Sequence, residues 1–178
     1  NNFIILHIMG SHDNYINRYP PEFTKWGTPN VYEPIIDYDN SLAYTDQFLK
    51  DVYTYGKQNL NLQALLYFSD HGADPRYMRH PDMTSFIGLR IPLFLFLSDE
   101  YRMLYPNTTT ALVNHTDTYF TNDLIYEMIA GILNIKSNHY DETNSLASPQ
   151  YKYTRETLTT RLGDWKLTKD TTEPEEQK

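Results

Sequence analysis

The chain has 178 residues, 40 % of them hydrophobic, with no cysteine and a formal net charge of −8, which suits one core or a large piece of a single domain. The acidic balance leaves no basic stripe to neutralise a nucleic-acid backbone, so nucleic acid is excluded as an expected partner. A phosphorylated substrate would need a local positive charge such as a bound metal. Without cysteine there can be no disulfide and no thiolate metal site, so any transition-metal site must be built from His and carboxylates.

Residues 3–8 form a dense apolar run at the very start of the chain and predict a buried strand. The next segment, 11–34, carries Pro20, Pro21, Gly27, Pro29 and Pro34 and predicts an extended surface loop of the kind on which function often lives. From about 35 to 58 the apolar residues Ile36, Leu42, Phe48, Leu49, Val52 and Tyr53 recur at helical spacing, interrupted by Gly56 near the end. This predicts one long amphipathic helix. Residues 63–68 and 91–97 lack polar alternation and predict two further buried strands. The longer of these runs is still too short to span a bilayer, and no signal-peptide pattern precedes it, so the chain as it stands is expected to be soluble.

Strand, helix and strand in this order predict an α/β domain with a mainly parallel sheet and flanking helices. A further helix is expected from Asn122 or Asp123 to Ile132 or Leu133, packing Leu124, Ile125, Met128, Ile129 and Ile132 on the sheet. Residues 1–150 then form the domain. Residues 151–178 form a polar extension whose last eight residues are too hydrophilic to order.

In an open parallel sheet the ligand crevice lies at the carboxyl ends of the strands. The expected strands lead there to Gly10, Ser11 and His12, and to Ser69, Asp70, His71 and Gly72, with His80 in the following loop. Asp70 and His71 are an oxygen and a nitrogen ligand of types zinc accepts, and Gly72 permits the turn. By themselves they fit a metal site or a hydrogen-bonded pair closing a strand end. Ser11 and Ser69 stand in no nucleophile-elbow context and read as turn residues. His7, inside the apolar run, reads as a buried structural histidine. His115 and His139 read as surface residues, and Arg76 and Arg79 as an anion clamp or as solvated charges. Sixteen tyrosines suit carbohydrate or lipid-headgroup contact and plain packing equally.

The stretches Leu6-His7-Ile8-Met9-Gly10-Ser11-His12, Arg18-Tyr19-Pro20-Pro21-Glu22-Phe23, Tyr38-Asp39-Asn40-Ser41 and Tyr67-Phe68-Ser69-Asp70-His71-Gly72 follow one another in order. So do Arg90-Ile91-Pro92, Ser98-Asp99-Glu100-Tyr101 and Thr121-Asn122-Asp123-Leu124. Together they resemble the signature of bacterial phosphoethanolamine transferases in the sulfatase-like branch of the alkaline phosphatase superfamily, over about residues 3–150.

The resemblance implies an alkaline-phosphatase-like fold, incomplete on its N-terminal side, with zinc as cofactor and Asp70 and His71 as zinc ligands. His12 and His80 are implied as catalytic groups around the phosphoryl group or a second zinc. The donor it implies is phosphatidylethanolamine, and the acceptor a lipopolysaccharide core sugar or lipid A. It also implies a membrane anchor in the bacterial inner membrane and a catalytic domain in the periplasm.

In the family, a nucleophilic threonine and an acidic zinc ligand precede the Leu-His motif, which here begins at Leu6. The chain alone is therefore expected to be inactive and to need the N-terminal part of its domain. An apolar sheet edge left open by that missing part would favour self-association. The loop Ala73-Asp74-Pro75-Arg76-Tyr77-Met78-Arg79-His80 departs from the longer, Gly-rich family loop and leaves the role of His80 open. Two alternatives stand beside transfer: a sulfatase or phosphodiesterase hydrolase, and a non-catalytic remnant.

Overall fold

The computed structural model describes residues 2–30, 34–74 and 86–172. The chain divides into two compact units, Asn1–Phe94 and Leu95–Lys178. Among the described residues no helix is long and apolar enough to cross a membrane.

The first unit is organised by one long helix, α1 (Pro34–Asn59), which matches the expected span; its Pro34 suits a first turn whose N–H groups have no helical partner. Gly56 does not interrupt it. Leu62 folds back so that a Cβ on Gly56 would sit 3.2 Å from its side chain. Asn61, with φ 49°, turns the chain out of the helix while the Leu60 and Leu62 N–H groups both donate to the Gly56 carbonyl.

The face that α1 buries is polar. Asp37, Asn40, Ser41 and Thr45 are all buried, at helical spacing of one stripe, whereas Leu42 and Phe48 are 41 % and 39 % exposed. The reason lies in the segment packed on that stripe. Residues 11–30 form an irregular loop with single 3₁₀ turns at Tyr15–Asn17 and Pro21–Phe23, and irregular backbone needs side-chain partners that apolar residues cannot supply.

The expected first strand is not formed. Residues 3–8 have no regular structure and no ladder pairing, and Phe3, Ile4, Ile5 and Leu6 are 57–76 % exposed. An apolar run favours burial, but a strand also needs a neighbour to take its backbone hydrogen bonds, and none of the described residues serves as one. The buried reading of His7 falls with it, since His7 is exposed.

Strand β1 (Ala64–Phe68) pairs with β2 (Leu93–Leu97), and Tyr67 packs on Phe94 with ring centroids 5.5 Å apart. Both strands lie inside their expected spans.

In the second unit, Ser98 caps α2 (Asp99–Leu104) by accepting from Tyr101 N at 2.9 Å, and α3 (Pro106–Asn114) follows. The second expected helix divides into a 3₁₀ turn at Asn122–Leu124 and α4 (Ile125–Ile132). Met128, Ala130 and Ile132 of α4 are buried, as are Tyr101, Ala111, Leu146, Ala147 and Leu158 of the same unit. The Tyr101 hydroxyl donates to the Ile132 carbonyl at 2.5 Å.

A short hairpin, β3 (Thr159–Thr160) and β4 (Trp165–Lys166), occupies the segment read as a polar extension. It is antiparallel, with Thr159 opposite Lys166 and Thr160 opposite Trp165. The described strands form two small pairs within an α/β arrangement. Residues 173–178, most of the tail expected to be unordered, lie outside the described residues.

Candidate functional site

The turn leaving β1 brings the two expected metal ligands together. Ser69 Oγ donates to the His71 carbonyl at 2.7 Å, and Asp70 Oδ1 accepts from His71 N at 3.0 Å. Both bonds close the turn and place Ser69 in the structural role expected of it. Gly72 N then donates to the Gly88 carbonyl at 2.8 Å. This ties the turn to the 3₁₀ segment Phe86–Leu89.

His71 Nδ1 lies 2.6 Å from the Gly72 carbonyl. A carbonyl oxygen only accepts, so Nδ1 carries the proton and Nε2 offers its lone pair when the ring is neutral. That pattern, one ring nitrogen donating to backbone and the other free to ligate, is the usual support of a metal-binding histidine.

Asp70 Oδ2 lies 3.8 Å from His71 Nε2. Two donors of one tetrahedral zinc, each about 2.0–2.2 Å from the metal, are roughly 3.3–3.6 Å apart, so a few tenths of an ångström of movement by Asp70 would complete the geometry. The Asp70 side chain is 87 % exposed against 22 % for His71, which leaves the carboxylate room to make that movement. The donor pair thus fits zinc. Among the described residues no third His, Cys, Asp or Glu joins them in a metal-holding group.

His12 is not in such a group with them. It sits exposed just after the turn at Gly10 and Ser11, its N–H donating to the Met9 carbonyl at 3.0 Å. Arg18 braces this turn from below: Nε donates to the His12 carbonyl at 3.0 Å and an NH2 to the Asp13 carbonyl at 3.1 Å. Ser11 lies in the turn as expected, although its hydroxyl is buried and has no hydrogen-bond partner among the described residues. His80, Arg76 and Arg79 fall outside the described residues. His139 is exposed as expected. His115 is not a free surface group, for its Nδ1 donates to the Leu146 carbonyl at 2.9 Å and its ring packs on Tyr151.

What residue-by-residue reading missed is the latch that holds the His12 loop on α1. Tyr19 Oη donates to Asp37 Oδ1 at 2.6 Å, and Asp37 Oδ2 accepts from Asn30 N at 3.2 Å. Asn40 Oδ1 accepts from Lys25 N and Trp26 N at 2.7 and 3.1 Å, while its Nδ2 donates to the Trp26 and Ile36 carbonyls, both at 3.0 Å. The signal was present in the Tyr38-Asp39-Asn40-Ser41 stretch: polar residues at 37, 40, 41 and 45 repeat with the period of a helix face.

Burial, then the bond to Asp37 and the charge of that carboxylate, push the Tyr19 hydroxyl from 10.0 up to about 12. A hydroxyl whose folded value is raised supports the fold fully below its unfolded value and loses that support as pH rises through the folded one. Stability should therefore fall between about pH 10 and 12. Tyr19→Phe should lessen this alkaline slope in denaturant titrations, the rest coming from Tyr38, Tyr67, Tyr101 and Tyr151, which burial also raises; an unchanged slope would show that Tyr19 does not contribute to it.

A model of the family described as Sulfatase matches residues 1–129. The chain belongs to the sulfatase family. Within that family it aligns with phosphoethanolamine transferases, being 26 % identical over 167 residues to phosphoethanolamine transferase EptA of Escherichia coli (strain K12), a match that covers 80 % of this chain and 30 % of that protein. It is 31 % identical over 117 residues to the Kdo(2)-lipid A phosphoethanolamine 7''-transferase of Salmonella typhimurium, covering 55 % of this chain and 19 % of that one.

The crystal structure of the C-terminal periplasmic domain of EcEptC from Escherichia coli superposes with a TM-score of 0.70 at 25 % identity, over 82 % of this chain and 45 % of that one. The same domain in complex with Zn gives 0.68 at 24 % identity, over 82 % of this chain and 45 % of that one, and shares the fold. The chain thus spans about 30 % of the length of the EptA relatives.

Proposed function

We propose that the whole protein is a zinc-dependent transferase that moves phosphoethanolamine from phosphatidylethanolamine to a lipopolysaccharide core sugar or lipid A, with this chain contributing Asp70 and His71 to its metal site. The observation that carries the reading is the pre-set His71 ring, its Nδ1 donating to the Gly72 carbonyl at 2.6 Å and its Nε2 lying 3.8 Å from Asp70 Oδ2. The names of the aligned relatives support it.

The chemistry zinc supplies at such a pair is polarisation of a phosphoryl oxygen and stabilisation of an alkoxide nucleophile. In this reading His71 and Asp70 hold their donor atoms in place before substrate arrives. His12, its backbone fixed by its turn and by Arg18, donates a proton or hydrogen bond to the phosphoryl group, a catalytic task this reading gives to His80 as well. The nucleophilic threonine comes from an N-terminal part of the domain, without which this chain does not turn over.

The same reading joins β1 and β2 to a larger, mainly parallel sheet within a domain covering residues 1–150. The exposed run 3–8 and the open sheet edge then meet the rest of that domain, or a second copy when it is absent. The domain works in the periplasm, with the protein anchored in the inner membrane.

Zinc-edge anomalous diffraction from zinc-soaked crystals should show a peak about 2.0–2.2 Å from both an Asp70 oxygen and His71 Nε2, and His71→Ala should abolish it. A zinc peak elsewhere, or one that survives His71→Ala, would sink the assignment. Incubating the full-length protein with phosphatidylethanolamine and lipid A then separates transfer from hydrolysis: a modified acceptor is expected, whereas free ethanolamine phosphate alone would make the protein a phosphodiesterase.

A further inference from the structure

Asp70 and His71 are neighbours in sequence, just past the end of β1. Along an extended chain successive side chains point to opposite faces, so the two would be turned away from each other if the strand simply continued. The chain instead bends at residues 70 and 71, and Asp70 Oδ2 comes to lie 3.8 Å from His71 Nε2. The bonds that hold this bend therefore decide whether the pair can share one ion.

The peptide joining His71 to Gly72 is held on both sides. Its N–H donates to the Gly88 carbonyl at 2.8 Å, and its carbonyl oxygen, that of His71, accepts from Ser69 Oγ at 2.7 Å. The Ser69 hydroxyl has one proton to give, and the His71 carbonyl is the nearer acceptor, since Asp70 Oδ1 lies 3.4 Å away. This peptide leads directly to the Gly72 carbonyl, which receives His71 Nδ1 at 2.6 Å and so orients the ring. Asp70 is set by the same bend, its Oδ1 accepting from His71 N at 3.0 Å.

Ser69 thus links the end of β1 to the backbone that carries both donors. A water molecule could satisfy the half-buried His71 carbonyl as well as a hydroxyl does. It could not tie that carbonyl to the strand, because water has no covalent connection to it.

We propose that Ser69 is a positioning residue of the zinc pair: its hydroxyl holds the 71–72 peptide and so keeps Asp70 Oδ2 and His71 Nε2 on one side of the chain before the metal arrives. This role rests on the zinc binding assigned above to Asp70 and His71, and adds to it a side chain that does not itself touch the ion.

The test measures zinc affinity of the full-length protein by competition with a chromophoric chelator, and thermal unfolding with and without zinc, for the parent, Ser69→Ala, Ser69→Thr and His71→Ala. Ser69→Ala should bind zinc about 10–100-fold more weakly, the usual loss when a group supporting a metal ligand is removed. Its metal-free melting temperature should stay within a few degrees of the parent's, since water replaces the lost donor, while the rise in melting temperature on adding zinc should shrink. Ser69→Thr keeps the hydroxyl and should bind zinc as the parent does.

Parental zinc affinity in Ser69→Ala, beside a clear loss in His71→Ala, would overturn the proposal and leave the metal site standing. An equal loss in Ser69→Ala and Ser69→Thr would also overturn it, because the hydroxyl would then not be the group responsible. So would a Ser69→Ala protein that is unfolded without metal, which would make Ser69 a support of the fold and not of the donor pair. A parent that binds no zinc, or a His71→Ala variant that binds it equally well, would remove the zinc assignment itself and the role of Ser69 with it.

Discussion

Asn40→Ala is expected to destabilise the first unit by about 2–4 kcal/mol, because one fully buried side chain, 0 % exposed, serves three backbone groups of the loop that carries His12. Its loss strands Lys25 N, Trp26 N and the Trp26 carbonyl, and each buried polar group left without a partner costs about 1–3 kcal/mol, less where water can reach it. Lys25 and Trp26 are themselves exposed, so water will recover part of the sum.

Asn40→Asp should be no milder. A carboxylate keeps the acceptor but loses the Nδ2 donor, and it faces the Trp26 and Ile36 carbonyls at the 3.0 Å now spanned by an N–H. Urea unfolding of the two variants would measure this. A change below about 0.5 kcal/mol, the range of ordinary surface substitutions, would mean that the loop is held by something other than Asn40.

The second large effect is expected at Gly72. A Cβ there would lie 2.1 Å from the Arg90 carbonyl oxygen and 3.0 Å from that of Ile87. Both neighbours are backbone, so no rotamer change relieves the overlap, and either the turn or the 86–90 segment must move. Gly72→Ala should cost about 3 kcal/mol or more, the range reserved for strain and overpacking that cannot relax. It should also displace His71, whose ring is oriented by the Gly72 carbonyl itself, and with it any zinc affinity. Thermal unfolding and zinc titration on one sample read both effects. Parental stability in Gly72→Ala would contradict the close approach of residues 72 and 90.

These two residues mark how far the sequence could be read. Gly72 was legible as the residue that permits a turn after a strand, and Asp70 and His71 as a donor pair of zinc type beside it. The Arg90 carbonyl against Gly72 could not be read, since it depends on a segment eighteen residues further on folding back; the Nδ1 bond that orients His71 reaches only to the next residue's carbonyl, but residue types alone do not fix the rotamer that makes it. Asn40 was legible as one of the polar residues repeating along a helix face, but its partners Lys25 and Trp26, fifteen and fourteen residues away, could not be read from that spacing. His80 had a role only through resemblance, and it lies outside the described residues.

The sequence by itself determined the local elements and the chemistry available to them. Helical spacing over 35–58 became α1, and the unalternating runs 63–68 and 91–97 became β1 and β2. The absence of cysteine confined any zinc to oxygen and nitrogen donors. Each of these follows from backbone periodicity or residue type, which act over a few positions.

Only the tertiary structure decided which faces are covered. Helix α1 buries Asp37, Asn40, Ser41 and Thr45 and leaves Leu42 and Phe48 in solvent, the reverse of what hydrophobicity alone favours. The segment packed on it is irregular backbone, whose amides and carbonyls cost more when left unpaired than the apolar side chains do when left exposed. Residues 3–8 have the composition of a buried strand, yet residues 3–7 remain exposed, because strand formation depends on a neighbouring edge that composition does not supply.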